Sequence, residues 1–381
     1  MTSQPRPFEC GGWEMKFQDA ATWCFLGSPT LVRLQDGSLL AAHDYFGPHS
    51  PHSHDGEEFL SSVYRSTDDG LTWQTVTHIA GAFWSNLFVH RGDVYLLGVS
   101  QHYGSIVIRR SEDGGNTWTE PLDAETGLLF PGGPGRTPPC YHCAPMPVVE
   151  HGGRLYRAFE DNDPLNWPKG FQSVVISCDA GADLLDAGSW RMSERLAFEP
   201  GWARGWDGEL GPGWLEGNVV LDREGEMWNL LRVHSEPKVD KAAMVRVLDE
   251  GRRLEFDPAE GFIDFPGGMT KFTIRRDPAT GVYLTLSNNN TDLAFPRQRN
   301  VLSLHASEDL RHWRHVKTLM EDLSGLEWTE SVRQVGFQYV DWHFDGEDII
   351  YLVRTAYRGA HNFHDANRMV FARIEAFRTL L

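Results

Sequence analysis

The sequence predicts an all-β chain folded as a six-bladed β-propeller of four-stranded antiparallel sheets. Three observations carry the prediction: a strand, glycine turn, strand unit that recurs six times, a second turn signature built on Ser, Asp, Gly and Trp, and a near absence of helical periodicity.

The recurring unit is read first in Leu31-Val-Arg-Leu-Gln-Asp-Gly37-Ser-Leu-Leu-Ala and next in Leu87-Phe-Val-His-Arg-Gly92-Asp-Val-Tyr-Leu-Leu. The same grammar returns around Gly152, Gly225, Gly281 and Gly346. Intervals of 55, 60, 73, 56 and 65 residues separate these glycines, each enough for four short strands and their turns. At 381 residues the chain exceeds an ordinary domain, but repeated sheets around one axis account for it, so one propeller domain over residues 1–381 is expected.

The second signature reads Ser66-Thr-Asp-Asp-Gly70-Leu-Thr-Trp73, then Ser111-Glu-Asp-Gly-Gly115-Asn-Thr-Trp118, and in shortened form Ser307-Glu-Asp-Leu-Arg-His-Trp313. A degenerate copy runs from Ser177-Cys-Asp179 to Trp190. Asp and Ser hydrogen-bond the backbone of a tight turn, Gly takes the positive-φ position, and Trp packs the turn against its neighbour. These aspartates are therefore read as structural. The 14 Trp and 38 Gly fit many short strands with glycine turns and aromatics filling between sheets.

Hydrophobic residues make up 41% and charged residues 23%, which is globular, and no apolar run of about 18 residues exists to enter a bilayer, so no membrane partner is expected. The net charge of −18 argues against a nucleic-acid partner, whose phosphates require clustered Lys and Arg. Met1 to Phe17 holds no apolar run of signal-peptide type, and Cys10, Cys24, Cys140, Cys143 and Cys178 form no evenly spaced framework; the expectation is a cytoplasmic, reduced protein. Cys140-Tyr-His-Cys143 has the spacing of half a zinc site, but no matching second pair follows, and neither a metal nor another cofactor is expected.

The Ser-x-Asp-x-Gly-x-Thr-Trp turns resemble the Asp-box, or BNR repeat, of sialidases and their relatives, and the resemblance covers roughly Gly27 to Arg354. It implies a carbohydrate-directed site at the mouth where the inner strands begin: Gly27/Ser28, Ala82/Phe83, His142/Cys143, Leu215/Glu216, Lys271/Phe272 and Gly336/Phe337. Glu216 opens one inner strand and Arg232 closes the next, which looks like the fourth-blade pattern of retaining sialidases. That pattern implies a Glu that polarises a nucleophilic Tyr and an Arg that holds a substrate carboxylate. In physical terms a Glu at a channel mouth serves as a base, and an Arg beside it offers a bidentate fork.

The loop from His43 to Asp55 sits where the family's mobile loop supplies a general-acid Asp, so Asp55 matches by position. Asp44 competes, because a strand end holds a side chain more rigidly than a loop does. Arg299, with Arg297 as the alternative, resembles the last member of the family's arginine triad. The chain departs from the family twice. Gly27-Ser28-Pro29 stands where an Arg-Ile-Pro supplies the first arginine, and Phe337 stands where the nucleophilic Tyr belongs. Tyr339, two residues on and thus on the same strand face, is the candidate replacement. His43, His142, Lys271 and Arg358, the last in the closing loop Tyr357 to Asn367, complete the candidate sugar-binding set.

The expected activity is that of a sialidase-like exo-glycosidase acting on a terminal acidic or deoxy sugar. The alternatives are a polysaccharide lyase centred on His142, Tyr339 and Arg299, and a glycan-binding propeller without turnover.

Overall fold

The six turn glycines at 37, 92, 152, 225, 281 and 346 all adopt positive φ, between 57° and 95°, which a Cβ would oppose. Each closes the hairpin between the first two strands of a sheet. The computed structural model describes residues 4–381, in which six antiparallel sheets are arranged as a six-bladed propeller.

Blade one runs through Phe25–Arg33, Leu39–Phe46, Leu60–Ser66 and Gln74–Ala80, from the axis outward, and blade two through Phe83–His90, Asp93–Val99, Ile106–Ser111 and Leu128–Phe130. Blade three has its inner edge in two pieces, Tyr141–His142 and Val149–His151, against Arg154–Asn162, Phe171–Asp179 and Trp190–Met192. Blade four comprises Gly213–Leu221, Met227–His234, Lys241–Leu248 and Arg253–Glu255, and blade five Thr273–Arg276, Tyr283–Asn288, Val301–Ser307 and Trp313–Glu321. Short additional strands, Leu196–Ala197 and Phe262–Asp264, pair with the third strands of blades three and four and so lengthen their outer edges.

The sixth blade takes three strands from the end of the chain, Gly336–Asp345, Asp348–Ala356 and Arg368–Ile374, and its outer strand from the beginning, Trp13–Phe17. This closure was not readable as a repeat, since the glycine hairpins mark only first and second strands and Trp13–Phe17 is a fourth. A second lock joins blades six and one: the Asp341 carboxylate accepts from the Leu31 backbone N–H at 2.8 Å and from the Thr30 hydroxyl at 3.2 Å.

The hydrophobic core is divided among the interfaces between adjacent blades. One cluster, for example, joins Leu286 and Leu304 of blade five to Trp342 and Val353 of blade six, and another joins Leu97 and Ile108 of blade two to Phe159 and Ile176 of blade three. Inner strands are buried on both faces, so they read as continuous apolar runs; outer strands such as Gln74–Ala80 are largely exposed.

The Ser/Asp/Trp turns connect the third and fourth strands of blades one, two and five. In blade two, Ser111 donates to Asp113, the Gly115 and Thr117 N–H groups donate to Ser111 Oγ and Asp113 Oδ1, and Trp118 Nε1 donates to the Gly115 carbonyl, all within 2.7–3.0 Å. Blade five repeats the scheme with Leu310 at φ 68° in the glycine position.

Candidate active site

The inner strands of blades two, four and six share one irregularity at the same end. Each slips register once, between Phe83 and Asn86, Leu215 and Asn218, and Gln338 and Asp341. At each slip one residue turns left-handed: Trp84 (φ 46°), Glu216 (φ 57°) and Tyr339 (φ 53°). Such bulges re-aim a side chain, and here all three aim into a single axial cavity of about 530 Å³. Left-handed backbone at a non-glycine residue costs about 1–3 kcal/mol and persists only where the surroundings hold it.

The two residues of greatest interest come from different blades. The Tyr339 hydroxyl donates to Glu216 Oε1 at 2.6 Å, and Arg232 Nη1 donates to Glu216 Oε2 at 2.9 Å. Burial works to raise the Glu216 pKa, but the Arg232 charge and the Tyr339 and Arg232 hydrogen bonds outweigh it and hold the carboxyl below its ordinary value. Burial and the Glu216 charge together push the Tyr339 phenol up. The resting pair is thus an ionised carboxylate facing a protonated phenol, with the proton already directed at its acceptor.

Asp44 also lines the cavity, and it differs from Glu216 in having no cation in contact among the described residues. Its carboxylate accepts the Ser28 and Trp84 N–H groups, each at 2.7 Å, yet burial dominates and raises its pKa to about 7. Gly27 is part of this arrangement, because any side chain there would overlap the Asp44 carboxylate. The space beside Gly27, where the resemblance placed an arginine, is therefore filled by Asp44.

Four arginines nevertheless line the cavity: Arg232, Arg297 and Arg299, and Arg354 from the second strand of blade six. Its guanidinium carbon lies 4.9 Å from the Tyr339 ring centroid, and that of Arg299 5.9 Å. The Nε atoms of Arg232, Arg299 and Arg354 are buried without a hydrogen-bond partner among the described residues. Arg354 had a sequence signal that went unread: Arg232 pairs across the sheet with Leu215, just before Glu216, and Arg354 pairs with Gln338, just before Tyr339.

Other expected residues divide. His142 lines the cavity, and Arg297 stands at its edge, paired with Glu236 at 3.3 Å. Asp55 does not reach it. Its loop folds outward, held by the Ser53 N–H to Glu57 carbonyl bond and by the Gly47 N–H to Glu58 carboxylate bond, both 2.8 Å. Asp55 lines a separate hollow, where it accepts from Gln101. From the same loop Glu58 lines the cavity instead, its carboxyl raised by burial.

His43 precedes Asp44 and so faces the other side of its strand, bonded to Tyr64 Oη at 3.1 Å. Lys271 is buried between blades five and six, where its ammonium donates to Thr273 Oγ1 and the Val340 carbonyl, each at 2.6 Å. Arg358 is exposed and paired with Glu9; of its loop, Phe363 and His364 contribute to the cavity. Trp84, His102, Tyr103 and Trp167 add an aromatic wall that the repeat pattern did not mark.

No protein-family model matches this chain, and no curated protein matches it. Solved structures do. An α-L-arabinanase from Penicillium chrysogenum, complexed with arabinobiose, is 14% identical with a TM-score of 0.58 over 99% of both chains. A mutant α-L-arabinofuranosidase from Fusarium graminearum, bound to an iminosugar inhibitor, is 11% identical with a TM-score of 0.59 over 97% of this chain and 98% of that one. A Trypanosoma rangeli sialidase in complex with the inhibitor DANA is 16% identical with a TM-score of 0.58, over all of this chain and 58% of that one.

The likeness is one of fold. Function has to be argued from the cavity itself.

The cavity gathers four arginines, 232, 297, 299 and 354, against three carboxyl groups, Asp44, Glu58 and Glu216, inside a chain of net charge −18. Its volume is in the range of small-molecule sites. An anionic group entering it meets guanidinium groups, an ionised carboxylate, a phenol and a carboxyl group whose pKa burial raises to about 7.

Proposed function

We propose that the protein is a retaining exo-glycoside hydrolase acting on a terminal acidic sugar whose carboxylate lies close to the reacting carbon. The observation that carries this reading is the chain Tyr339, Glu216, Arg232, with the phenol set between Arg299 and Arg354.

Tyr339 Oη attacks the anomeric carbon while its proton passes to Glu216. The bond to the departing sugar or aglycone breaks, and Asp44, in its protonated form, gives its proton to the leaving oxygen. The ionised Asp44 then takes a proton from water, which attacks the anomeric carbon and frees Tyr339, whose oxygen recovers the proton from Glu216. A neutral phenol is chosen over a carboxylate nucleophile for a physical reason: an anionic sugar would be repelled by a second anion at the attacking position. Arginines around the ring stabilise the phenolate as it leaves and hold the ligand carboxylate.

The test is a panel of 4-methylumbelliferyl glycosides of N-acetylneuraminic acid, glucuronic acid and α-L-arabinofuranose, with release of fluorescence as the readout. Turnover confined to, or much faster on, an acidic sugar is the expected result. Turnover of the arabinofuranoside alone overturns the acidic-sugar reading. A product absorbing in the near ultraviolet through a new double bond replaces hydrolysis with elimination, and binding that Glu216→Gln leaves unchanged, without turnover, makes the protein a lectin.

A further inference from the structure

Glu160 lies on the second strand of blade three, its carboxylate wholly shielded from solvent, and belongs to none of the groups used above. It pairs across the sheet with His142, whose Nδ1 is 2.7 Å from Glu160 Oε2. Its other oxygen, Oε1, accepts the backbone N–H of Gly217 at 2.9 Å, next to Glu216.

An ionised carboxylate can only accept, and a backbone N–H can only donate, so the proton between the imidazole and Glu160 sits on Nδ1. In the neutral ring Nε2 is then bare. The ring is held edge-on to Trp84, at 4.4 Å between centroids, and lies 4.7 Å from Phe171. His142 lines the cavity, and among the described residues Nε2 has no hydrogen-bond partner.

The carboxyl groups of this cavity are already engaged, Glu58 by the Gly47 N–H among them. Its arginines are donors only, Asp44 is engaged by two backbone N–H groups, and Glu216 by Tyr339 and Arg232. A sugar brings many hydroxyl protons, each needing an acceptor when buried.

We propose that Glu160 is a positioning residue that fixes the His142 tautomer, so that Nε2 accepts a hydrogen bond from a hydroxyl group of the bound sugar. The sugar contact rests on the glycosidase reading; the tautomer does not.

Glu160→Gln makes the proposal sharp. Gly217 still needs an acceptor, so the amide oxygen turns to it and the amide NH2 faces Nδ1, which must then accept. The proton moves to Nε2, and the ring offers the cavity a donor in place of an acceptor.

Long-range ¹H–¹⁵N spectra of the full chain with ¹⁵N-labelled histidine, assigned through His142→Gln, read this directly at pH 8. Protonated Nδ1 with bare Nε2 is expected in the natural sequence, and the reverse in a folded Glu160→Gln. A natural ring carrying its proton on Nε2 overturns the proposal even if Glu160→Gln fails to fold, as does one tautomer in both proteins. On whichever glycoside of the panel is turned over, Glu160→Gln should lower kcat/KM about 10–100-fold, mainly through KM. An unchanged KM in His142→Gln removes the sugar contact. If nothing is turned over, the glycosidase reading fails, and with it the sugar contact, while the spectra still decide the tautomer.

Discussion

Aspartates at the outer turns and at the axial mouth of this propeller are the same residue in opposite circumstances. Asp113 takes its hydrogen bonds from residues two to four positions away, which hold its pKa down to about 2. Asp44 takes one of its two from Trp84 in the next blade, and burial lifts it to about 7. The outer carboxylates are saturated by local partners and do nothing but hold a turn. Those at the mouth are left with free energy to exchange, because neighbours far along the chain satisfy them only in part.

The sharpest way to break this comparison is at the Glu216 and Tyr339 pair. Tyr339→Phe and Glu216→Gln should each reduce kcat on the active glycoside by about 10³-fold or more while leaving ligand affinity, measured by calorimetry, nearly intact. Next comes Asp44→Asn, with a loss of about 10²-fold or more on substrates with poor leaving groups. Because the Asp44 pKa is raised, its acid form prevails below about pH 7 and is lost as pH rises through that value. The alkaline limb of kcat/KM should therefore fall above about 7 and vanish in Asp44→Asn, whereas Glu216, held low, places the acidic limb well below it.

Arg354→Ala should weaken an acidic sugar by about 1.5–3 kcal/mol, the worth of a charged hydrogen bond, and a neutral one hardly at all. Equal losses in the two titrations would remove Arg354 from the clamp. At the outer turns the expectation reverses: Asp113→Ala should lower stability by about 1–2 kcal/mol in urea unfolding and leave kcat/KM as it was. Asp55→Asn, outside the cavity, should change neither.

What the sequence made legible follows the same division. Turn glycines, Ser/Asp/Trp turns and apolar inner strands are local, so the propeller was readable blade by blade, and Glu216 with Arg232 was readable as two strands of one sheet. Tyr339 was reached by strand alternation, but its aim comes from a bulge whose left-handed residue no residue type announces. Asp55 was favoured over Asp44 by its place in a loop, and the loop's course is set by Gly47 and Glu58 pairing over eleven residues. Arg354 was not foreseen because the resemblance pointed to an arginine in blade one, whereas this one enters the cavity from blade six.

The closure of the sixth sheet has a consequence for how the protein is made. Trp13 leaves the ribosome 358 residues before its partner Phe371, so the first strand must wait, unpaired, until the sixth sheet is made. Tyr339 and Arg354 belong to that last sheet, and a nascent chain with five finished blades still lacks both of these cavity side chains. The cavity is walled on all sides only once the sixth sheet closes.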